Sequence, residues 1–197
     1  MSFGRVLRYA VCVGVLVIQA PALVAQSAAS ASASAPAPAS TPTPDPADVA
    51  SVDAIITALY ASISGPKGAP RDFDRLRTLM GPNARFVPTG VTQAGASWLR
   101  NWSVEEYITA AGPGLMANGF FEKEIGRRSD KFGQVTHVWS AYDSRTTPTS
   151  EPFQRGINSI QLFNNGKRWF ILSVMWDSER EGNPIPADRL GSKGEED

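Results

Sequence analysis

The stretch 153–177 constrains the fold of this chain more than any other. It holds two apolar runs joined by Asn165-Gly166, a pair that readily adopts the positive φ angles of a type I′ turn and predicts a β-hairpin. The second run, 169–176, is apolar at every position except Ser173. A strand that is apolar on both faces has to be covered on both faces. The sequence therefore predicts a sheet whose last hairpin faces a core on one side and needs cover on the other.

The N-terminal segment 1–25 has the pattern of a secretory signal peptide. Arg5 and Arg8 precede a short apolar stretch, which small residues follow. The apolar stretch is shorter than the ~20 residues of a transmembrane helix, which favours a cleaved signal over the alternative of an uncleaved membrane anchor. We therefore expect a periplasmic or secreted protein. The only cysteine, Cys12, lies in this segment, so the mature chain is expected to hold no disulfide and no cysteine metal ligand.

Two further segments are poor candidates for a core, and they bound a single domain at 48–180. Residues 26–47 are rich in Ala, Ser and Pro, which predicts a disordered linker. Residues 181–197 are rich in Gly, Pro and charge, which predicts a flexible tail. The 19 basic and 19 acidic residues balance and form no sustained basic stripe, so nucleic-acid binding is not expected. With a single histidine, no metal site or other cofactor is expected either.

Within this domain, helical patterns come first and strand patterns last. Apolar residues at spacings of three and four predict a first helix over 48–62 and a short second helix opened by Asp72 or Asp74. Ser103 and Glu106 form the capping-box pattern of a third helix. Strand patterns follow at 120–130, 134–144 and 153–177. Helices gathered early and strands gathered late predict an α+β fold, with the helices covering one face of an antiparallel sheet.

Four short patterns carry a resemblance to a known family. They are the apolar stripe of the first helix, the start of the second helix, one strand and the last strand: Val52, Ile55, Ile56, Leu59 and Tyr60; Asp72-Phe73 with Leu76 and Leu79; 133–138; and 166–171. In this order they resemble the nuclear transport factor 2-like superfamily, which includes SnoaL-like polyketide cyclases and ketosteroid isomerases. The resemblance covers 48–180 and implies a cone-shaped α+β fold, in which a curved antiparallel sheet wraps around N-terminal helices. It implies little about function, because this fold hosts isomerases, dehydratases, binding modules and assembly domains.

A two-residue turn at Asn165-Gly166 determines which residues of the last hairpin share a face. It pairs Asn158 with Ser173 and places Met175 beside them, on the face that the resemblance assigns to the interior of the cone. The opposite face then carries Phe170, Leu172, Val174 and Trp176. Because four large apolar residues on an outer face need cover, we expect a homodimer through the sheet. The alternative is a monomer that covers this patch with its own loops or tail.

Three residues are candidates for catalysis. His137, the only histidine, lies mid-strand and would act as a general base if it faced the interior; the alternative is a histidine that is hydrogen-bonded within the sheet or exposed on it. Glu122 and Glu124 share a strand face, and Glu124 is the candidate carboxylate base, since a carboxyl in an apolar cone takes up a proton more readily. The alternative is a solvated strand paired with Lys or Arg. Tyr142 would donate to a ligand oxygen or pack at the edge of the core.

The turn at 131–133 decides which way His137 faces. With a turn at 132–133, Arg128 lies opposite His137, whereas a three-residue turn places Arg127 there. Arg128 is also a candidate for gripping a ligand carboxylate, although pairing with a nearby Glu or Asp is the alternative.

Aromatic residues supply the remaining candidates for a ligand site. Tyr60, Trp98 and Trp102 could roof a pocket for a flat apolar ligand, or they could be plain core. The first functional hypothesis is an exported module that binds a small, partly apolar molecule or a partner protein without catalysis. The alternatives are a cofactor-independent lyase or isomerase acting on a small apolar carbonyl compound, and a structural dimerisation module.

Overall fold

The computed structural model describes residues 42–191 of the chain. The signal-peptide prediction, most of the linker prediction and residues 192–197 lie outside the described residues. In chain order the elements are a 3-10 helix (Pro46–Val49), α1 (Val52–Ile63), α2 (Phe73–Leu79), β1 (Met80–Val91), β2 (Ser97–Leu99), β3 (Trp102–Ser103), α3 (Val104–Asn118), β4 (Phe121–Phe132), β5 (Val135–Arg145), β6 (Gln154–Asn164), β7 (Trp169–Ser178) and a second 3-10 helix (Ala187–Arg189). Among these residues, no helix is long and apolar enough to cross a membrane.

Short polar side chains set the start of each helix. The Ser51 hydroxyl accepts from the Ala54 amide at 3.0 Å and begins α1 slightly later than the pattern predicts. Asp72 caps α2, as predicted. Ser103 and Glu106 satisfy each other's backbone amides in the predicted capping box of α3. These caps pair backbone groups that a helix N-terminus otherwise leaves unpaired.

The sheet has the strand order β2-β1-β7-β6-β5-β4, and β3 also pairs with β1. Strand β1 runs parallel to β7, whereas the other neighbouring strands are antiparallel. The sheet is therefore mixed, which corrects the predicted antiparallel sheet at this one pairing. The long connection through α3 and β4–β6 makes the parallel pairing possible, because parallel neighbours need a crossover. The helices lie on one face, which we call the inner face. Fully buried side chains at this interface include Ile55, Ile56, Leu76, Leu79, Val138, Ile160, Leu162 and Ile171.

The register of the β6–β7 hairpin differs from the predicted one. Asn164 pairs with Trp169, so four residues rather than two form the connection, and Asn165 uses its side chain to accept from the amides of Lys167 and Arg168. A bulge at Leu172 then shifts the pairing by one residue. Beyond a bulge the side-chain alternation changes face.

This shift corrects the predicted faces of β7. Val174 and Trp176 lie on the inner face, with Val174 only 4% exposed, and Asn158 pairs with Trp176. Ser173 and Met175 lie on the outer face, opposite to the prediction. Phe170 and Leu172 do lie on the outer face, as predicted.

The β4–β5 hairpin also turns later than expected. Phe132 pairs with Val135, so Gly133, at φ 58°, and Gln134 form a two-residue turn. His137 therefore pairs with Asp130, and neither Arg127 nor Arg128 lies opposite it.

The segment 179–191, most of which is predicted to be a flexible tail, folds back across the outer face. Ile185 is buried, and the Gly191 amide donates to the Ile125 carbonyl at 3.1 Å. A Cβ on Gly126 would lie 2.1 Å from the Arg189 carbonyl oxygen, so β4 has room for this segment only because residue 126 is glycine. This segment, which we call the C-terminal strap, supplies part of the cover that the last hairpin requires.

Candidate functional site

A partly open cavity of about 180 Å³ lies between the inner face of the sheet, α1 and α3. Most of its walls are aliphatic or aromatic, and its polar lining comes from strands β4–β6 and two tyrosines. The lining residues are Leu59, Tyr60, Ile63, Phe86, Tyr107, Ala111, Leu115, Phe120, Glu122, Tyr142, Ser144, Gln154, Asn158, Val174 and Trp176. Among the predicted catalytic and ligand-binding residues, the structure brings Tyr60, Tyr142 and Asn158 into this cavity. Val174 and Trp176, which are predicted on the outer face, also line it.

Strand alternation brings the polar groups to one wall. Glu122 of β4 pairs with Ser144 of β5, and Tyr142 follows on the same face of β5. Asn158 lies on the same face of β6. In α3, Tyr107, Ala111 and Leu115 repeat at a spacing of four, which is the helical period that places them on the wall opposite.

Glu122 is the ionisable centre of the cavity. Its carboxylate accepts from the Ser144 hydroxyl at 2.7 Å and from the Asn158 amide at 3.4 Å. Within residues 42–191 it forms no ion pair with Lys or Arg. Burial raises the pKa of Glu122 to about 7, against the two hydrogen bonds, which lower it. This carboxyl therefore exchanges its proton near neutral pH.

A buried hydrogen-bond network extends from Glu122 across the wall. The Asn158 amide also donates to the Tyr60 hydroxyl at 3.0 Å, and that hydroxyl lies 2.7 Å from the Ser140 hydroxyl. Ser140 donates its own proton to Glu124 at 2.6 Å, so Tyr60 has to be the donor towards Ser140. Burial raises the pKa of Tyr60 well above its usual range, which keeps the phenol neutral.

Glu124, the predicted carboxylate base, is already paired. Its carboxylate binds the Arg127 guanidinium through two hydrogen bonds of 2.9 and 2.8 Å, and Arg127 also contacts Asp53. A bulge in β4 between Glu124 and Gly126 turns Arg127 inward beside Glu124. The sequence-based alternative of a carboxylate paired with Arg describes Glu124, and its neighbour Glu122 faces the cavity instead.

Aromatic rings form the opposite end of the cavity. The Phe86 and Tyr107 rings are stacked with centroids 4.1 Å apart, and Trp176 meets Tyr107 edge-on at 6.3 Å. Tyr107 is only 7% exposed, yet in the part of the chain that the structure describes its hydroxyl forms no hydrogen bond. Sequence reasoning missed Tyr107 and Phe86; the spacing of Tyr107, Ala111 and Leu115 was the signal that could have found the helix face.

His137 lies on the outer face, away from the cavity, and so does not contribute to this site. Its Nε2 lies 2.9 Å from the Ser159 hydroxyl and its ring packs on Trp139 at 4.8 Å. Burial lowers the pKa of His137. The alternative of a histidine hydrogen-bonded within the sheet therefore replaces the prediction of a general base.

The remaining predicted ligand residues also lie elsewhere. Trp98 is 39% exposed on the β1–β2 hairpin, where it packs against Gly90, and Trp102 packs against the core outside the cavity lining. Arg128 is exposed near Asp188, as its ion-pair alternative describes. Ser173 and Met175 are excluded by the register described above. Within residues 42–191, no cluster of three or more His, Cys, Asp or Glu side chains could hold a metal ion.

Solved structures resemble the chain in architecture. A protein of unknown function from Mycobacterium tuberculosis superposes with a TM-score of 0.50 at 12% identity, over 69% of this chain and 75% of its own. NTF2-like proteins of unknown function from Silicibacter pomeroyi and Shewanella baltica give TM-scores of 0.44 and 0.41 at 12% and 15% identity; they cover 66% and 64% of this chain and 94% and 91% of their own. This chain has a nuclear transport factor 2-like fold.

The three helices on one face of a mixed seven-stranded sheet confirm the α+β fold that the four sequence patterns predict. No protein-family model matches the sequence, and no curated protein does either. At such low sequence identity, a shared fold does not determine the function of the cavity. The chemistry of the cavity depends on the side chains around Glu122.

Proposed function

We propose that this protein binds a small, partly apolar molecule in the cavity between α1, α3 and the sheet. The observation that carries the proposal is the Glu122 carboxyl, which borders an otherwise largely apolar cavity without a cationic partner among the described residues. A buried ionisable group of this kind is costly for the fold. A cavity with few, convergent polar groups and a perturbed pKa is the usual form of a ligand site.

The size of the cavity limits the ligand. Its volume of about 180 Å³ slightly exceeds the ~150 Å³ of an apolar cavity that is known to hold benzene. We therefore expect a molecule the size of a single substituted ring, with one polar group directed at Glu122.

A pair of variants on α3 tests this proposal. Ala111 lines the cavity, whereas Ala110 is exposed on the same helix. In isothermal titration calorimetry with benzyl alcohol as the probe, Ala111→Phe should abolish binding by filling the cavity, and Ala110→Phe should bind like the wild type. Wild-type protein that binds no benzyl alcohol, or binding that survives in Ala111→Phe, would contradict the proposal. Native mass spectrometry of protein purified from its own host would report the natural ligand.

A second candidate function is proton transfer to or from a bound carbonyl compound. It is supported by the pKa of Glu122, which burial raises to about 7, near the optimum for a general base at neutral pH. Here Glu122 takes the role that the sequence analysis gave to Glu124 or His137. The test is deuterium incorporation at the α-carbon of cyclohexanone in D₂O, followed by NMR. Catalysis would be supported if the wild type exchanges deuterium faster than the uncatalysed rate and Glu122→Gln does not. Exchange at the uncatalysed rate in the wild type would contradict catalysis, and only the binding function would then stand.

Homodimerisation through the outer face remains part of the proposal, with a corrected surface. Four apolar residues pair directly across the strands at the tip of the sheet, beyond the C-terminal strap: Phe132, Val135, Phe163 and Phe170. Asp130 lies two residues before Phe132 on the same face of β4, and Arg168 packs on Phe170 at the β7 end of the row. A two-fold axis between β5 and β6 would bring Asp130 of one protomer towards Arg168 of the other, so a second copy is the occupant that fits.

The oligomeric state tests this surface. Phe132 is 90% exposed in the row, and Phe153 is 55% exposed at the other end of the sheet. By light scattering after size exclusion, the wild type should have the mass of a dimer, Phe132→Ser that of a monomer, and Phe153→Ser that of a dimer. A wild-type protein that is monomeric at all concentrations would exclude both this dimer and a purely structural dimerisation role.

We also propose, from the N-terminal sequence pattern, that the protein is exported. The basic, apolar and small-residue pattern of 1–25 supports removal of a signal peptide and a periplasmic or secreted location. N-terminal sequencing of the protein from its own host tests it: a mature chain that starts near residue 26 supports export, and an intact Met1 contradicts cleavage.

A further inference from the structure

The charge and hydrogen-bonding capacity of the cavity select among small ligands. Within the described part of the chain, Glu122 is the only acidic residue that lines the cavity, and none of the lining residues is Lys, Arg or His. An anionic ligand would therefore meet a carboxyl and no cation, which is unfavourable in a poorly solvated site. The ligand has to be neutral or cationic.

The aromatic end of the cavity favours a cation. The Phe86, Tyr107 and Trp176 rings are packed in fixed stacked and edge-on positions around this end. Aromatic faces attract ammonium groups. Because Phe86 and Tyr107 each cover one face of the other, a cation can meet only the remaining ring faces of this group. Burial of a cation beside these rings requires a negative partner, and Glu122 borders the same space.

The Tyr107 hydroxyl is a second acceptor on the cavity wall. This phenol is 7% exposed, lines the cavity and has no hydrogen-bond partner within residues 42–191. Its oxygen is not among the buried, unpartnered polar atoms of these residues, so it is open to solvent or to a ligand in the cavity. A neutral phenol can accept a hydrogen bond from an N–H donor. An ammonium has three such donors, enough for both Glu122 and Tyr107.

On the basis of the proposed function, we infer that the ligand class is a small primary amine, bound as its ammonium with Glu122 as counter-ion, Tyr107 as second acceptor and the aromatic rings as walls. The ammonium enters already protonated, so Glu122 has to be ionised in the complex, and any proton on it passes to the solvent. No covalent bond forms or breaks.

Groups around Glu122 define its charge before binding. Asp143 is the nearby charged group that raises the pKa of Glu122 further, while Ser144 and Asn158 oppose this through hydrogen bonds. The neighbouring phenols Tyr60 and Tyr142 stay neutral, since burial raises the pKa of each. Because burial raises the pKa of Glu122 to about 7, part of the free protein carries a proton on Glu122 at pH 7, so amine binding should release protons.

Calorimetry with matched probes separates this inference from the proposed function. Benzylamine and benzyl alcohol have nearly the same shape, and titrations in two buffers of different ionisation enthalpy report the protons released. We expect benzylamine to bind about tenfold more tightly than benzyl alcohol at pH 7, with proton release, because a charged hydrogen-bonding pair is stronger than a neutral one. Benzoate should not bind detectably.

Variants distinguish the possible failures. Glu122→Gln should remove both the preference for benzylamine and the proton release. Ala110→Phe, on the exposed side of α3, should keep both, and Ala111→Phe should remove binding of both probes. Equal affinity for the two probes, or a preference for benzylamine that persists in Glu122→Gln, would overturn the ammonium inference and leave the proposed function standing. Failure of both probes to bind would overturn both.

Discussion

Glu122 and Glu124 differ in one contact, an ion pair with Arg127, and this contact determines which of the two carboxyls can bind a ligand. They lie on the same face of β4, two residues apart, and each accepts a hydrogen bond from a serine of β5. Glu124 also receives two hydrogen bonds from Arg127, whereas Glu122 receives only neutral donors in the described part of the chain. Only the carboxyl without a cation is available to a ligand.

The raised pKa of Glu122 predicts a pH-dependent cost to stability. Because its folded-state pKa, about 7, exceeds the ordinary value of 4.5, the native state holds a proton that the unfolded state has lost between these pH values. Stability from this group is present at low pH and is lost as the pH rises through 7. From pH 5 to pH 8, urea unfolding of the wild type should lose about 2 kcal/mol relative to Glu122→Gln. If the difference in free energy of unfolding between the two proteins does not vary with pH, the raised pKa of Glu122 is wrong.

Two tyrosines of the cavity provide a matched pair for the hydrogen-bond network. Tyr60 bridges Asn158 and Ser140, so Tyr60→Phe should lower the free energy of unfolding by about 1–3 kcal/mol, since buried partners lose their hydrogen bonds. Tyr107→Phe removes a hydroxyl with no partner among residues 42–191 and should cost less than ~0.5 kcal/mol. Denaturant unfolding measures both values, and equal losses in the two variants would contradict the network.

The sequence identifies a few candidate residues for the polar site, but it does not show which of the two glutamates faces the cavity. Alternation identifies Glu122 and Glu124 as sharing a face, and Tyr60 belongs to the apolar stripe of α1. The choice of Glu122 depends on the β4 bulge that turns Arg127 inward, and no local pattern marks that bulge. Likewise, the turn at Gly133-Gln134 directs His137 outward, although the glycine alone fits several turns.

Among the secondary-structure elements, β7 shows the limit of prediction from sequence patterns: the hairpin is predicted, but the direction in which its side chains face is not. The hairpin itself is predicted from its apolar runs and Asn165-Gly166, and it is present. Its connection has four residues, and the bulge at Leu172 moves Val174 and Trp176 into the interior. Since nearly every residue of this strand is apolar, hydrophobic alternation carries no information about which residues face inward.

A pair of substitutions in β7 tests the observed faces. Val174 is 4% exposed in the core, whereas Leu172 is 40% exposed on the outer face. Val174→Asp should lower the free energy of unfolding by more than ~3 kcal/mol by burying an unpaired charge, and Leu172→Asp by less than ~1 kcal/mol. The predicted two-residue turn would have placed both residues on the outer face. Similar losses in chemical denaturation of the two variants would contradict the bulge.

At the scale of the whole molecule, the sequence predicts the fold better than the site. Capping residues, helical stripes and the late strands together indicate the α+β cone, because each depends on local chemistry that a single chain displays. The parallel pairing of β1 with β7 and the C-terminal strap are not predicted, since both depend on contacts between distant residues. The strap in particular depends on Ile185 and on the missing side chain of Gly126.

Titration of the Glu122 carboxyl by ¹³C NMR is the most direct test of the central claim. The claim is that this carboxyl, which has no cationic partner among residues 42–191, binds a small ligand in the cavity. In the free protein the midpoint should lie near 7, as burial raises the pKa of Glu122 to about 7, and it should fall when benzylamine is added to saturation. Ala111→Phe should abolish the response to benzylamine, and Ala110→Phe should keep it. A midpoint near the ordinary value of 4.5, unaffected by any ligand, would contradict the account.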